Sequence, residues 1–511
     1  MLYKSNNMKK GRVLLITPNL KGIGDGVNRI QPSLGLMLIA QVLKDDGHTV
    51  KIHDPALEGW ENRKILDPVN NVVSIGQSDE EISKVISKFA PDVIAISVLF
   101  ANLLDSAHNI AGIAKKVNKQ IKVILGGNHI SNAVIDYKWA NADKNSNLPD
   151  YLEDLENENI DMGMTGEGEF SMRDLINRII NNEDISKIPG LVKKIGEKKY
   201  IINPATRIHD LNVLPRPARY MVNMEGYFKI GAFHSPKSRS KRVLSVMCSR
   251  GCPEKCTFCT TPEMWGQKMR WRSTEHIMNE IGNDCRDFKI GEIQFDDDTI
   301  TVDKKKLFAL CNELEKLGLP WCTPNGTKVN YHLKNQLDMY KTMANSGCYQ
   351  ITLACESAVQ RVLDNLINKR LPVETILPSI ENAKKAGMLV HTYWIIGYPG
   401  ETYEEIQQTV DFAMNCGADS FSFSILNPLP GTPIYRKVIK DNLFWPGRSY
   451  NDMLFRSSLI KVNGFSSPNE FEKFVNETNI KANLILKHKD PKRFEYKYGK
   501  GANESSLAKQ T

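Results

Sequence analysis

No cysteine precedes Cys248, although the 511-residue chain holds ten. Thiols confined to the second half cannot staple a fold throughout, so a disulfide framework is excluded and reduced thiols in a cytoplasm are expected. Long apolar runs are missing too. None approaches the roughly 20 residues of a membrane span, so no membrane association is expected. The apolar stretch Val13 to Ile16, behind the basic segment Met1 to Arg12, is too short for a signal-peptide core and reads as a strand after a tail. Nor is one sign of charge dominant. A net charge of +8 is modest at this length, and the lysines fall in scattered patches such as Lys193-Lys194 and Lys304-Lys305-Lys306. Such patches read as solvated faces. An anionic small-molecule substrate is compatible with them, and nucleic acid is not an expected partner.

What is present reads as globular α/β protein, 41% hydrophobic and 25% charged, with length for more than one core. In residues 1–185 short apolar runs (Val13 to Ile16, Val50 to Ile52, Val93 to Ile96, Val123 to Leu125) alternate with helical patterns at Leu34 to Leu43, Glu81 to Phe89 and from Asp105. This alternation predicts a doubly wound parallel sheet, Rossmann-like, with ligands beyond the carboxyl ends of its strands. The turns there are Ser97-Val98-Leu99, Gly126-Gly127-Asn128-His129 and Gly166-Glu167-Gly168-Glu169. A linker is expected over 186–240, punctuated by prolines; its Lys237 to Arg242 run reads as a solvated loop. Over 241–440 six strands alternate with helices, which predicts a partial (β/α)6 barrel. A small, mostly helical region with a disordered charged tail is expected over 441–511.

The barrel's first strand, Val243 to Met247, leads into Cys252-Pro-Glu-Lys-Cys256-Thr-Phe-Cys259, a C-x3-C-x2-C spacing. Three thiols so close can hold one iron–sulfur cubane and leave its fourth iron open to another ligand. A zinc knuckle or three unrelated thiols are the plainer readings, although zinc sites pair C-x2-C with a second pair or with histidines. A closed four-cysteine cluster that uses Cys248 is a further alternative.

With these motifs the sequence resembles the cobalamin-binding subgroup of the radical S-adenosylmethionine enzymes. The resemblance implies a [4Fe-4S] cluster on Cys252, Cys256 and Cys259, with S-adenosylmethionine on the open iron and Phe258 near its adenine. It implies that Asp297 and Asp298 receive the methionine ammonium, that Glu356 and Ser357 meet the ribose, and that the turn Gly397 to Glu401 meets adenine. In the first domain it assigns cobalamin to Ser97, Leu99, Gly126, Gly127, Asn128 and Glu167. The D-x-H-x2-G motif of cobalamin domains that ligate cobalt from below is absent, and His53 is misplaced for it, so a lower face without histidine is implied. The stretches Cys259 to Ser273, Leu319 to Thr327 and Glu356 to Leu363 look like phosphonate C-methyltransferases of that subgroup. The implied reaction is methyl transfer from methylcobalamin to an unactivated carbon after reductive cleavage of a second S-adenosylmethionine, with an external reductant such as flavodoxin or ferredoxin. Radical rearrangement or cyclisation without methyl transfer is the alternative within the class. A cluster- or cobalamin-binding sensor or electron carrier is the alternative outside it. Lys268, Arg270 and Arg272 could pair with a phosphonate or shape the start of a helix, and Cys322, Cys348 and Cys355 read as buried inert thiols.

Overall fold

The computed structural model describes residues 8–24, 28–68, 71–143, 145–235, 238–454, 457–489, 491 and 494. Pro236 and Lys237 of the expected linker, and nearly all of the expected disordered end, lie outside the described residues. The chain divides into two compact units. One comprises Met1–Gly24, Ile30–His209 and Val213–Tyr227, and the other Asp25–Arg29, Asp210–Asn212 and Phe228–Thr511.

The first unit is built on a seven-stranded sheet of β1 (Arg12–Ile16), β2 (Thr49–His53), β3 (Val93–Ser97), β4 (Lys122–Gly126), β5 (Met162–Met164), β6 (Leu191–Gly196) and β7 (Lys199–Ile202), in the order β7-β6-β5-β4-β3-β1-β2. Strands β1 to β5 are parallel. Their apolar runs are continuous because both faces are covered. Leu14, Ile16, Ile94, Ile96, Val123 and Leu125 enter the core on one side, and Val13, Leu15, Val93, Ala95 and Ile124 that on the other. Fully burying each such aliphatic side chain contributes about 1.5–3 kcal/mol. The order reverses between β1 and β3, so the crevice for a ligand opens at the carboxyl ends of these strands.

Part of the stretch expected as a linker is instead folded. The hairpin β6–β7 runs antiparallel and extends the sheet beyond β5. Its apolar pair Leu191-Val192 is fully buried, which is why it is not a free connection. A three-stranded antiparallel sheet of Leu20–Ile23, Arg63–Asp67 and Val72–Ile75 was not expected. Its strand Arg63–Asp67 is mostly exposed and carries charge, so no apolar run announces it.

In the second unit β8 (Val243–Val246), β9 (Glu292–Phe295), β10 (Trp321–Lys328), β11 (Cys348–Glu356), β12 (Leu389–Ile396) and β13 (Ser420–Ile425) form one six-stranded sheet in sequence order. All neighbours are parallel. This is the expected partial (β/α)6 barrel. Helices such as Thr274–Phe288, Lys304–Leu317, Ile376–Lys385 and Tyr403–Asn415 connect its strands, and the helix Pro468–Lys489 packs on β13. Parallel strands send every carboxyl end the same way, and the functional side chains gather there.

Candidate active site

The first cysteine of the loop, Cys252, lies six residues past β8, and the loop is tied off by a short antiparallel ladder of Ser249–Arg250 with Arg270–Trp271. Gly251, at φ +105°, lets the loop cross itself: a Cβ there would stand 2.7 Å from the Lys268 carbonyl oxygen. The Cys252 N–H donates to the Gly266 carbonyl at 3.1 Å, and the Cys259 N–H to Cys256 at 3.1 Å. Thr257 fixes the middle of the loop, donating from N and Oγ1 to Ile367 and Leu366 at 2.9 and 2.6 Å.

Cys252, Cys256 and Cys259 are all free thiols, with Cys256 buried. Burial pushes Cys252 up to about 12 and Cys256 up to about 11, and raises Cys259 as well. Three thiolates together in this loop therefore need a cation. Among the described residues no three His, Cys, Asp or Glu side chains converge as a single metal ion requires. In a cubane each thiolate takes a different iron, so three cysteines held apart along one loop fit a cluster. Cys248 is fully buried at the strand end, with its N–H donating to Asp297 Oδ2 at 3.0 Å.

The expected cofactor contacts separate into two groups. Phe258, Asp298 and Glu356 face the loop. The Phe258 ring lies 6.2 Å from that of Tyr398, in the turn after β12. Asp298 accepts from Thr261 Oγ1 at 2.9 Å, which ties it to the residues just past Cys259, and burial raises it to about 6. Glu356 ends β11 with a left-handed φ of +65° and receives the Lys369 ammonium at 2.7 Å, both side chains being buried. A non-glycine residue at such a φ is strained by about 1–3 kcal/mol and is held there by its surroundings.

Other groups at these strand ends also tie the fold together. Asp297 accepts from the Cys248 N–H and the Ser249 hydroxyl, one on each oxygen, and so clamps β9 to the end of β8. Burial pushes it up to about 7. Ser357 turns toward the helix Tyr403–Asn415, its Oγ 3.1 Å from Thr409 Oγ1. Glu401 folds back beneath its own turn, accepting from the Gly397 and Tyr398 N–H groups at 2.7 and 3.0 Å. Arg272 pairs with Glu280 at 2.6 Å, and Arg270 donates to the Trp265 carbonyl at 3.1 Å, so both arginines brace the loop.

In the first unit the turns after β3 and β4 lie side by side. Ser97 pairs with Gly126, the Val98 N–H donates to the Gly126 carbonyl at 2.8 Å, and the His129 N–H to Val98 at 3.2 Å. Gly127, at φ +101°, approaches so closely that a Cβ would stand 2.5 Å from the Val98 carbonyl oxygen, whereas one on Gly126 would meet nothing nearer than 3.9 Å. The strand end is thus open at Gly126 and bordered by exposed Leu99 and Phe100. Asn128 starts the helix Asn128–Ala142, whose N-terminal N–H groups face the same edge. An open backbone cradle without bulky or charged side chains leaves room for a large cofactor at this strand end. Of the nearby histidines, His53 Nε2 is 2.7 Å from Gln77 Oε1, and His129 Nε2 is 3.3 Å from Asp154. Glu167 is buried and accepts from the Ile208 N–H at 3.0 Å, so it anchors the chain beyond β7.

Lys369 was invisible to the sequence, where Asn368-Lys369-Arg370 reads as an ordinary polar loop. Burial opposes its charge, yet Glu356 and Cys256 beside it hold its pKa above the usual lysine value. Thr261 and Tyr398 were within quoted motifs but carried no signal of their own.

A radical SAM superfamily model matches residues 246–413, and a B12 binding domain model matches residues 20–144. The chain is 32% identical, over 93% of its length and 90% of the relative's, to the cytidylyl-2-hydroxyethylphosphonate methyltransferase of Streptomyces wedmorensis. It is 25% identical, over 84% of its length and 70% of the relative's, to an anaerobic magnesium-protoporphyrin IX monomethyl ester cyclase of Rubrivivax gelatinosus. Its fold matches that of the radical S-adenosylmethionine methyltransferase TsrM of Kitasatospora setae, with a TM-score of 0.62 at 16% identity, over 91% of this chain and 81% of that one. It also matches the cobalamin-dependent radical enzyme OxsB, with a TM-score of 0.66 at 15% identity, over 96% of this chain and 72% of that one.

Proposed function

This chain belongs to the cobalamin-dependent radical S-adenosylmethionine methyltransferases, and on that premise we propose that it methylates an unactivated carbon of a nucleotide-activated hydroxyalkyl phosphonate. The observation that carries the substrate class is the 32% identity, over 93% of the chain, to a cytidylyl-2-hydroxyethylphosphonate methyltransferase. When bound, the cluster and S-adenosylmethionine supply a carbon-centred radical by reductive cleavage, and cobalamin supplies the methyl group.

Cys252, Cys256 and Cys259 would hold the cluster. The ladder and the Thr257 hydrogen bonds keep them in register. Asp298, tied to Thr261, would receive the ammonium of S-adenosylmethionine. Asp297 is a positioning residue, since its hydrogen bonds fix the strand end from which the loop springs. Glu356, charged and oriented by Lys369, would accept from the ribose hydroxyls, while Phe258 and Tyr398 form an aromatic corner for adenine. Ser97, Leu99, Gly126, Gly127 and Asn128 would cradle cobalamin, with a lower face free of histidine. A flavodoxin or ferredoxin would deliver electrons in the cytoplasm. Among the described residues no helix is long and apolar enough to cross a membrane.

The likeness to a cyclase supports a second reading, ring formation without methyl transfer. One assay separates them. Reconstituted enzyme incubated anaerobically with reductant, methyl-labelled S-adenosylmethionine and cytidylyl-2-hydroxyethylphosphonate is expected to release S-adenosylhomocysteine and 5′-deoxyadenosine and to label the phosphonate. Consumption of the phosphonate with 5′-deoxyadenosine alone would replace the methyl-transfer reading with the second.

A further inference from the structure

Residues of β12 alternate between two surroundings. Val390, Thr392, Trp394 and Ile396 are buried, and the Trp394 ring packs 5.9 Å from Phe412 on the helix Tyr403–Asn415. His391, Tyr393 and Ile395, between them, are half-exposed, and the register sets Ser420, Ser422 and Ser424 of β13 beside them. Side chains alternate across a strand, so this second set lines the face of the arc turned away from its helices.

That face is polar where a barrel interior is ordinarily packed with branched aliphatics. The His391 ring nitrogens lie 2.7 and 3.2 Å from the Ser420 and Ser422 hydroxyls, and the ring meets Tyr393 edge-on at 4.9 Å. Both nitrogens being engaged, His391 orients Tyr393 and leaves its hydroxyl to a ligand. On β11, Thr352 stands beside His391 and Gln350 lies two residues earlier on the same face. Gln350 is 3% exposed, yet its Oε1 accepts no hydrogen bond among the described residues. A buried acceptor left so is destabilising, and a donating ligand would relieve that. Arg29 brings charge to the same surface. Its guanidinium donates to the His234 carbonyl, and its charge acts on the Tyr393 hydroxyl.

We propose that Arg29 and Tyr393 receive the phosphonate or phosphate oxygens of the substrate on the concave face of the barrel, and that Gln350 accepts from a substrate hydroxyl. The inference rests on the phosphonate reading above and deepens it. A guanidinium fits such oxygens with two parallel N–H donors, the tyrosine hydroxyl adds a third, and an orphan amide oxygen selects for an O–H. An anion and a hydroxyl a few bonds apart are what a hydroxyalkyl phosphonate carries. His391 is a positioning residue, acting through Tyr393.

The test uses the full-length, cluster-loaded enzyme with cytidylyl-2-hydroxyethylphosphonate as probe, measured by calorimetric titration and by steady-state methyl transfer. Arg29→Gln is expected to raise Kd and KM for the phosphonate about tenfold or more, and Tyr393→Phe about three- to tenfold, with KM for S-adenosylmethionine unchanged. Arg29→Lys, which keeps the charge, is expected to recover part of the loss. Iron content and thermal unfolding report whether each variant folds; if Arg29→Gln does not, Arg29→Lys and Tyr393→Phe decide. Variants that bind the probe within about twofold of the parent would overturn the subsite and leave the phosphonate reading standing. A parent enzyme that binds no probe would overturn that reading and the subsite with it.

Discussion

The turns after β3 and β4 of the first sheet carry almost no charge: Ser97, Gly126 and Gly127 present backbone, with Leu99 exposed at the rim. The strand ends of the barrel gather Asp297, Asp298, Glu356 and Lys369 around three thiols, with Asp297, Glu356, Lys369 and Cys256 buried and the rest partly so. The two edges face opposite physical problems. A backbone cradle holds a large cofactor by shape, so it fails when volume is added. A buried charged site holds a small zwitterion and a metal cluster by compensation, so it fails when a partner is removed.

The largest expected effect follows at the thiols. Cys256→Ala should reduce iron and sulfide in anaerobically reconstituted protein to background and abolish 5′-deoxyadenosine formation, whereas Cys248→Ser should keep both. A cluster that survives in the first variant, or is lost only in the second, would transfer the metal site to a different donor set.

Next comes Lys369→Met, which leaves the Glu356 carboxylate buried without its 2.7 Å partner. Breaking a buried pair from one side costs about 3–5 kcal/mol, and removing both partners costs far less. Thermal unfolding should therefore show a larger loss for Lys369→Met than for the double change with Glu356→Leu. If the double variant is no better than the single one, the two groups are not acting as a pair.

The cradle is probed by volume. Gly127→Ala places a Cβ 2.5 Å from the Val98 carbonyl oxygen at φ +101°, while Gly126→Ala meets nothing within 3.9 Å. The first should destabilise the unit by about 1–3 kcal/mol and weaken cobalamin retention, and the second should leave unfolding nearly unchanged. Iron content should be the same in both. Equal unfolding temperatures would show that the turn relaxes and that close approach is not what the glycine provides.

Much of this was legible in the sequence. The barrel strands announced themselves because each is an apolar run at regular spacing, and the cysteine loop because ligand spacing is local. The hairpin β6–β7 was read as linker because its outward residues, among them Lys193, Lys194 and Lys199, mask a buried Leu191-Val192. At Asp297, Ser357 and Glu401 a motif gives position along a strand end, not the direction of the side chain. A one-residue change of facing sends Ser357 to Thr409 while Glu356 turns to Lys369. Lys369 itself lies 13 residues from its partner and comes to it only through the π-helical turn Val362–Ile367.

Glu401 gives the sharpest check on that last distinction. Burial raises its carboxyl from the ordinary 4.5 to about 7, against the pull of the two N–H groups it accepts from. The folded state thus prefers the neutral acid. Below about pH 4.5 the group is neutral folded and unfolded, and its contribution to stability is fully present; as pH rises toward 7 the unfolded chain ionises first and that contribution is lost. Glu401→Gln keeps an oxygen for the Gly397 and Tyr398 N–H groups but cannot ionise. The stability of the parent relative to this variant should fall between about pH 4.5 and 7 and level off above it, as followed by chemical unfolding of the cofactor-free chain. A difference that does not change with pH would mean that the carboxylate is charged in the folded turn, and an ionised Glu401 would again be available to a ligand.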